Sequence, residues 1–559
     1  MARRKILVIG GVAGGATAAA RARRTDETAE IRILEKGPYI SFANCGLPYF
    51  VGGEIGDRSA LLLQTPESFK ALFDVDVAVE HEALAIDPAS RTVRVRDLRT
   101  GKEYDESYTA LILAPGAVPI RPPVPGIDLP NIFVLRTVPD SDAIRAYIEE
   151  HGARRAVVLG AGFIGLEMVE NLVRRGLAVT LVDKAPQVLP ALDPEMAAFV
   201  HLALDQAGVE VIVGDGLAAF EEEGGRAAAV RLESGRRVEG DLFILGLGVR
   251  PDTRLARQAG LAIGPTGGIR VDAYMRTSDP HIYAAGDAVE LVNLVTGKPQ
   301  LIPLAGPANK AGRVAGANAA GDHLTFPGAL GTAIVRVGTV TAALTGLTEK
   351  AARREGMNIA VSYTTSPHHA DYYPGAEPMV IKLVWEAETG RLLGAQAVGG
   401  AGVDKRIDVI ATAIMGKMTV EDLTNLDLAY APPFGSAKDP VTVAGMHAQN
   451  VRRDQLQVIT PREVAEALEA GVPLQVVDLR EPYEYAIGAL PGAVNIPFPQ
   501  LRSRIGELDP TRRTVVYDGN GQRGYWGARV LAQHGFDVRS LTGGYTLWEA
   551  YQAASWRTG

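Results

Sequence analysis

Arg155-Ala-Val-Val-Leu-Gly160-Ala-Gly-Phe-Ile-Gly165 is the stretch on which the fold turns. An apolar run enters a full G-x-G-x-x-G turn, a helix-patterned segment follows from Leu166 to Arg175, and Ala178-Val-Thr-Leu-Val-Asp183 reads as the next strand. Strand, glycine turn, helix and strand form a βαβ unit. Its glycines let the backbone approach a pyrophosphate at the helix N-terminus. Gly160, Gly162, Phe163, Ile164 and Gly165 are therefore expected to line a dinucleotide. Asp183, 23 residues after Gly160, stands where an acid holds a ribose hydroxyl and disfavours a 2′-phosphate. Lys184 beside it works the other way, so NADH is favoured and NADPH stays open.

A second unit of the same kind lies 150 residues upstream. Lys5-Ile-Leu-Val-Ile9 is a buried-strand pattern, Gly10-Gly-Val-Ala-Gly-Gly15 the turn, Ala16 to Arg24 an alanine-rich helix, and Ile31-Arg-Ile-Leu-Glu35 the second strand. Val12 occupies the second glycine position, but the strand, the helix and the acid 25 residues after Gly10 all agree. Two dinucleotide turns in one chain point to two dinucleotides meeting, a flavin and the nicotinamide that reduces it. Leu111-Ile-Leu-Ala-Pro-Gly-Ala117 and Asp279-Pro-His-Ile-Tyr-Ala-Ala-Gly-Asp287 read as further strands that end in small-residue turns.

The chain is long enough for several domains at 559 residues, and its 47% hydrophobic and 22% charged content is that of a globular protein. A net charge of −8 gives no footprint for nucleic acid. No apolar run approaches the ~18 residues of a membrane span, and the apolar start is a strand entering a glycine turn, not a leader. No metal-ligand cluster stands out. Cys45 is the single cysteine, so no internal disulfide forms and a cytoplasmic, reducing setting is expected. Any sulfur partner must come from outside the chain. Asn44 as a helix cap and Pro48 in a first helical turn would put the thiol at a helix N-terminus and lower its pKa. The alternative is a buried structural cysteine.

With these segments the chain resembles the FAD-dependent pyridine nucleotide-disulfide oxidoreductases over residues 4 to 450. The resemblance implies an α/β fold: two Rossmann-like dinucleotide-binding domains, an α+β dimerisation domain and a C-terminal α/β rhodanese-like domain. The expected boundaries are 1–120 with 245–324 for FAD, 121–244 for NAD(P)H, 325–450 for dimerisation, 451–458 as linker and 459–559 for the last domain. It implies an FAD site at Gly10, Gly11, Val12, Ala13, Gly14, Gly15, Glu35, Lys36, Pro115, Gly116, Gly286, Asp287 and Ala305.

Ser41-Phe-Ala-Asn-Cys-Gly-Leu-Pro-Tyr49 is similar to the segment of the CoA-disulfide reductases and the NADH-dependent persulfide and polysulfide reductases. No histidine lies in the first glycine turn, where Ala13 stands, which separates the chain from the peroxidase branch. The resemblance makes Cys45 the redox cysteine, with Ser41 and Asn44 flanking it. Arg21 and Arg24, i and i+3 on one helix, would hold CoA phosphates. Tyr372 in His369-Ala-Asp-Tyr-Tyr-Pro-Gly375 and Tyr430 in Ala429-Tyr-Ala-Pro-Pro433 match tyrosines that the family contributes across a homodimer interface, where a phenol can serve a leaving thiolate. Val403-Asp-Lys-Arg-Ile-Asp408 also belongs to this branch.

After Asp454 the pattern changes, and residues 459–559 resemble a rhodanese domain, whose active loop is C-x-x-x-x-R between a strand and a helix. Thr514-Val-Val-Tyr517 is the strand and Arg523 is present, but Asp518 replaces the cysteine. A carboxylate cannot carry a sulfane sulfur. A structural remnant, a binding platform and a loop that hands ligand to Cys45 are the three open readings.

The expected function is reduction of CoA disulfide, CoA persulfide or polysulfide by NADH or NADPH through FAD and Cys45. The alternatives are an NADH oxidase or peroxidase working through a Cys45 sulfenic acid, and a CoA or sulfur redox sensor.

Overall fold

The computed structural model describes residues 3–555. The outermost residues of the expected first and last domains, 1–2 and 556–559, lie outside the described residues. The chain divides into two units: residues 1–160, 167–180 and 217–331, and residues 161–166, 181–216 and 332–559.

In the first unit, the strands Asp76–Val79, Glu30–Glu35, Lys5–Ile9, Ala110–Leu113 and Ile282–Ala284 lie side by side in that order, all parallel. In Lys5–Ile9 and Ala110–Leu113 the apolar runs have no alternation because both faces are covered; Ile6, Leu7 and Val8 are fully buried. The register pairs Ile9 with Leu34 and Leu113, and Leu113 with Ala284. The turns that follow these strands therefore open on one edge, the carboxyl edge where ligands bind in parallel sheets.

The alanine-rich helix spans Ala13–Thr25 and crosses the helix Ala305–Ala319 closely. Small residues permit this approach: a Cβ on Gly312 would overlap the Gly14 carbonyl, and one on Gly316 that of Ala18. The unit also contains an antiparallel sheet of His81–Asp87, Thr92–Asp97 and Glu103–Ser107. Arg155–Leu159 pairs in parallel with Leu242–Leu245, which pairs with Ile132–Phe133.

In the second unit, Ala333–Val337, Val340–Gly346, Leu392–Gly399, Pro378–Glu386 and Ile359–Pro367 form an antiparallel sheet in that order. The helices Val403–Met415 and Pro440–Arg452 pack on it. The stretch 451–458 begins inside the second of these helices and ends at the strand Val458–Ile459, so only its middle is free of regular structure. That strand starts a parallel sheet with the order Val458–Ile459, Val538–Leu541, Thr514–Tyr517, Gln475–Asp478 and Val494–Asn495. No helix among the described residues is long and apolar enough to cross a membrane.

Candidate active site

The first glycine turn is held open by its own acid. Glu35 accepts hydrogen bonds from the N–H groups of Gly11 and Gly37, both at 2.7 Å. Burial raises its pKa against the pull of those N–H groups. Gly10 has φ +95°, and a Cβ there would run into the Ala114 carbonyl. The helix begins at Ala13, one residue past Val12, with no side-chain cap and no acid in its first turn. Such an end, with unpaired N–H groups at the carboxyl edge of a sheet, fits a dinucleotide pyrophosphate. Gly14 and Gly15 are buried in the same turn, whereas Lys36 points to Glu82 at 2.9 Å.

Pro115 and Gly116 follow the neighbouring strand, and Gly116 has φ +72° with the Arg136 guanidinium beside it. The same guanidinium lies 3.5 Å from Asp287, which follows Gly286. Burial raises the Asp287 pKa, and Arg136 restrains it. Ala305 opens the helix Ala305–Ala319, again without a cap or an early acid. Apart from Lys36, the residues expected at an FAD site, drawn from five separate segments, thus gather at one sheet edge, and what they present fits the group.

Cys45 is exposed, which removes the reading of a buried structural thiol. Its expected helix position is corrected, however. Cys45 sits in a 3₁₀ turn, Asn44–Gly46, ahead of a five-residue helix Leu47–Val51 in whose first turn Pro48 does lie. Asn44 is not a helix cap. Its Oδ1 accepts from the Cys45 N–H at 3.1 Å and lies 3.7 Å from Sγ. The expected drop in thiol pKa is overturned as well: partial burial, then the carboxylates of Glu167 and Asp287, push it up, with Arg136 pulling down. So short a helix supplies too little dipole to win. Glu167 itself is raised to about 7, by burial and then by Glu170, against a hydrogen bond with Tyr49. Ser41, four residues before the thiol, holds φ +45°, a strained value for a residue with a side chain, while its N–H bonds the Gly11 carbonyl at 2.8 Å. Arg21 pairs with Asp322 at 3.4 Å and Arg24 is exposed.

Gly160 has φ +107° and faces the Gly246 carbonyl. Asp183 accepts from the Ala161 N–H at 2.5 Å and the Ala185 N–H at 2.7 Å, as Glu35 does in the first turn. The helix Phe163–Arg174 takes in Phe163, Ile164 and Gly165 and has no acid in its first turn; Gly162 precedes it.

Tyr372 and Tyr430 are brought together, with their hydroxyls 3.1 Å apart and both side chains exposed. The shared hydrogen bond raises the Tyr372 pKa. Behind them, buried Arg406 bonds the His368 carbonyl at 2.7 Å and Asp439 at 2.9 Å, tying the two tyrosine loops to one helix.

Two site residues, Glu167 and Arg136, were absent from the sequence reading, and a third, Tyr49, had no role in it. Glu167 lies two positions past the last glycine of its motif, a spacing that could have marked it. Tyr49 ends the cysteine segment. Arg136 lies in no motif, and only the tertiary fold carries it to Asp287.

These features fit a two-dinucleotide oxidoreductase with one exposed thiol, and the chain belongs to the pyridine nucleotide-disulphide oxidoreductase family, whose model matches residues 4–308. The family's dimerisation domain matches residues 332–440 and a rhodanese-like domain residues 460–551. Among solved structures, reduced CoADR-RHD of Bacillus anthracis is similar at 45% identity and TM-score 0.95, over 99% of this chain and 98% of that one. An NAD-dependent persulfide reductase from A. fulgidus follows at 38% identity and TM-score 0.93, over 97% and 100%. The coenzyme A disulfide reductase of Staphylococcus haemolyticus is 36% identical over 449 residues, 80% of this chain and 100% of that protein.

Proposed function

We propose that this chain is an NAD(P)H-dependent flavoprotein that reduces CoA disulfide, or the sulfane sulfur of CoA persulfide or polysulfide, through Cys45. The observation that carries this is an exposed lone thiol in the segment Ser41–Tyr49, with Asp287 and Arg136 close enough to shift its titration. The similarity to proteins named as CoA disulfide and persulfide reductases supports it. FAD bound at the first glycine turn, Pro115–Gly116, Asp287 and Ala305 would relay two electrons from the nicotinamide to sulfur.

The chain's own residues do the rest. Glu35 and Asp183 stiffen the two glycine turns and offer carboxylate oxygens to ribose. Gly160, Gly162 and Gly165 admit the nicotinamide dinucleotide. The Cys45 thiolate attacks one sulfur of CoA disulfide; the S–S bond breaks, one CoA thiolate leaves, and a Cys45–CoA mixed disulfide remains. Two electrons cleave that bond and release the second CoA. With a persulfide, the same attack on sulfane sulfur ends in hydrosulfide. Because burial and two carboxylates hold the Cys45 pKa up, the proton balance at this thiol matters to the rate. Tyr372 and Tyr430 would give the departing thiolate its proton, in a homodimer from one protomer to the Cys45 of its partner. Ser41, Asn44, Arg21 and Arg24 are the residues proposed to receive CoA; the pairing of Arg21 with Asp322 leaves Arg24 the freer of the two arginines. A single cysteine supports a reducing, cytoplasmic setting for this reading.

The test is anaerobic NADH oxidation by the holoenzyme, with CoA disulfide and polysulfide in parallel and Cys45→Ser as control. Faster turnover with CoA disulfide assigns a CoA-disulfide reductase; faster turnover with sulfide release assigns a sulfur reductase. Full activity in Cys45→Ser overturns both.

A further inference from the structure

The C-terminal domain shows what took the place of its missing cysteine. Asp518 follows the strand Thr514–Tyr517 and is 1% exposed. Its carboxylate accepts hydrogen bonds from the N–H groups of Gly521 at 2.7 Å, Arg523 at 3.0 Å and Gly524 at 3.1 Å. These N–H groups line the loop and the start of the helix Gln522–Ala532, where a rhodanese would hold an anionic persulfide. Arg523 lies 3.4 Å from Glu484, 3.7 Å from Asp518 and 3.8 Å from Glu481. The loop therefore holds an anion of its own and offers a second one little room.

The back of this loop leads into the dimerisation domain. The Asp518 carbonyl accepts from the Tyr545 N–H at 2.7 Å, and the Gly519 carbonyl from the Thr546 hydroxyl at 2.9 Å. Just before them, the buried Thr542 hydroxyl accepts from the Tyr363 N–H at 2.9 Å and donates to the Tyr363 carbonyl at 3.0 Å. Tyr363 lies on Ile359–Pro367, the edge strand of the antiparallel sheet, so Thr542 takes up backbone groups that the sheet leaves unpaired. The Thr365 hydroxyl adds a bond to the Gly543 carbonyl at 3.4 Å.

A buried charge cluster lies beside this seam. Lys382, opposite Tyr363 in register and wholly buried, is 2.7 Å from Glu349, 3.0 Å from Asp193 and 3.8 Å from Glu195. Arg353 and, from the C-terminal domain, Arg462 also reach Glu349, at 2.8 Å and 3.9 Å. Three carboxylates thus meet three cations, one of which the C-terminal domain supplies. The helix Gly544–Ser555 packs on Pro194–Gln206 next to them. The clamped strand then runs directly into the hairpin that carries Tyr372, whose far side returns as Pro378–Glu386.

We propose that the rhodanese-like domain of this chain is a brace rather than a sulfur carrier: Thr542 clamps the strand Ile359–Pro367 and so sets Tyr372 against Tyr430. Thr542 is a positioning residue, and the proposal rests on the reading of Tyr372 as a proton donor to the leaving thiolate.

The test is a double-mutant cycle in the FAD-loaded full chain with two readouts, CoA-disulfide turnover and NADH–ferricyanide turnover, the second needing neither Cys45 nor Tyr372. Thr542→Val keeps the shape and removes both hydrogen bonds. It is expected to lower CoA-disulfide kcat about tenfold, as misplacement by a fraction of an ångström does, with ferricyanide turnover unchanged. Thr542→Ser keeps the hydroxyl and retains the rate. Tyr372→Phe falls similarly, and the double variant falls no further than Tyr372→Phe alone. A loss in Tyr372→Phe with none in Thr542→Val overturns the brace and spares the tyrosine. No loss in Tyr372→Phe overturns the reading of the tyrosine and the brace with it. Additive losses overturn the brace as well. Should Thr542→Val lose ferricyanide turnover, and so its fold, Thr542→Ala reads the same cycle.

Discussion

Cys45 and Asp518 occupy comparable places, each in a short turn that opens a helix and each in a segment that resembles a sulfur site, yet they are bonded in opposite ways. Among the described residues the Cys45 sulfur has one weak hydrogen-bond partner, Asn44 Oδ1 at 3.7 Å, and Cys45 is exposed. The Asp518 carboxylate is buried with three backbone N–H donors. A group whose bonding its own loop completes has nothing left to offer a substrate, and removing it leaves donors unpaired. A group left half-bonded contributes little to the fold and is free to react. The same contrast predicts opposite responses to substitution.

The largest effect is at Cys45. Cys45→Ser is expected to bring CoA-disulfide and polysulfide turnover to background while FAD stays bound and the melting temperature moves by no more than about a degree or two, since the residue is exposed and the replacement removes no strong hydrogen bond. Flavin absorbance, thermal melting and NADH oxidation on one preparation check all three. A large fall in stability would break the contrast from the thiol's side.

Asp518 comes next, with the reverse pattern. Asp518→Ala leaves three N–H groups in a nearly dry loop and is expected to cost about 2–4 kcal/mol, read as a lowered urea midpoint for the C-terminal domain, with ferricyanide turnover unaffected. Asp518→Cys puts a thiolate where the carboxylate now sits, and thiosulfate sulfurtransferase activity absent from the parent is expected to appear. If Asp518→Ala is neutral, the carboxylate is not what holds the loop.

Sequence periodicity and glycine spacing were enough to reach the strands Lys5–Ile9, Arg155–Leu159, Ala178–Asp183 and Thr514–Tyr517 with their observed bounds, because each ends in a turn with strong backbone demands. Helix starts were less legible: Ala13 and Phe163 lie three residues ahead of the expected Ala16 and Leu166, since the glycine turns themselves wind into the helices. The motif at Cys45 was visible, but its electrostatics were not. Local sequence shows Asn44 and Pro48, whereas the charges that decide the thiol, Glu167, Asp287 and Arg136, come from distant segments. Asp518 was legible as a lost cysteine, while the three N–H groups that close on it depend on how the loop folds. The clamp of Thr542 on Tyr363 joins two domains and has no local pattern at all.

The smallest effect concerns the acid beside the thiol. Glu167 is raised to about 7, chiefly by burial and then by Glu170, and its charge in turn raises Cys45. Below pH 7 the carboxyl is neutral and adds nothing to the thiol; above it the carboxylate makes the thiolate harder to form. Glu167→Gln removes that charge at every pH, while Tyr49, Asp287 and Arg136 stay in place around the site. The alkylation rate of NADH-reduced enzyme by iodoacetamide should then rise at lower pH in the variant, by about one unit or less, with the two curves meeting below pH 7. Glu170→Gln is expected to lower the Glu167 pKa and so start the divergence earlier. With one cysteine in 559 residues, mass spectrometry reads the modification without ambiguity. Coincident curves at all pH values would mean that Glu167 does not act on Cys45, and the thiol would owe its raised pKa to burial and Asp287 alone.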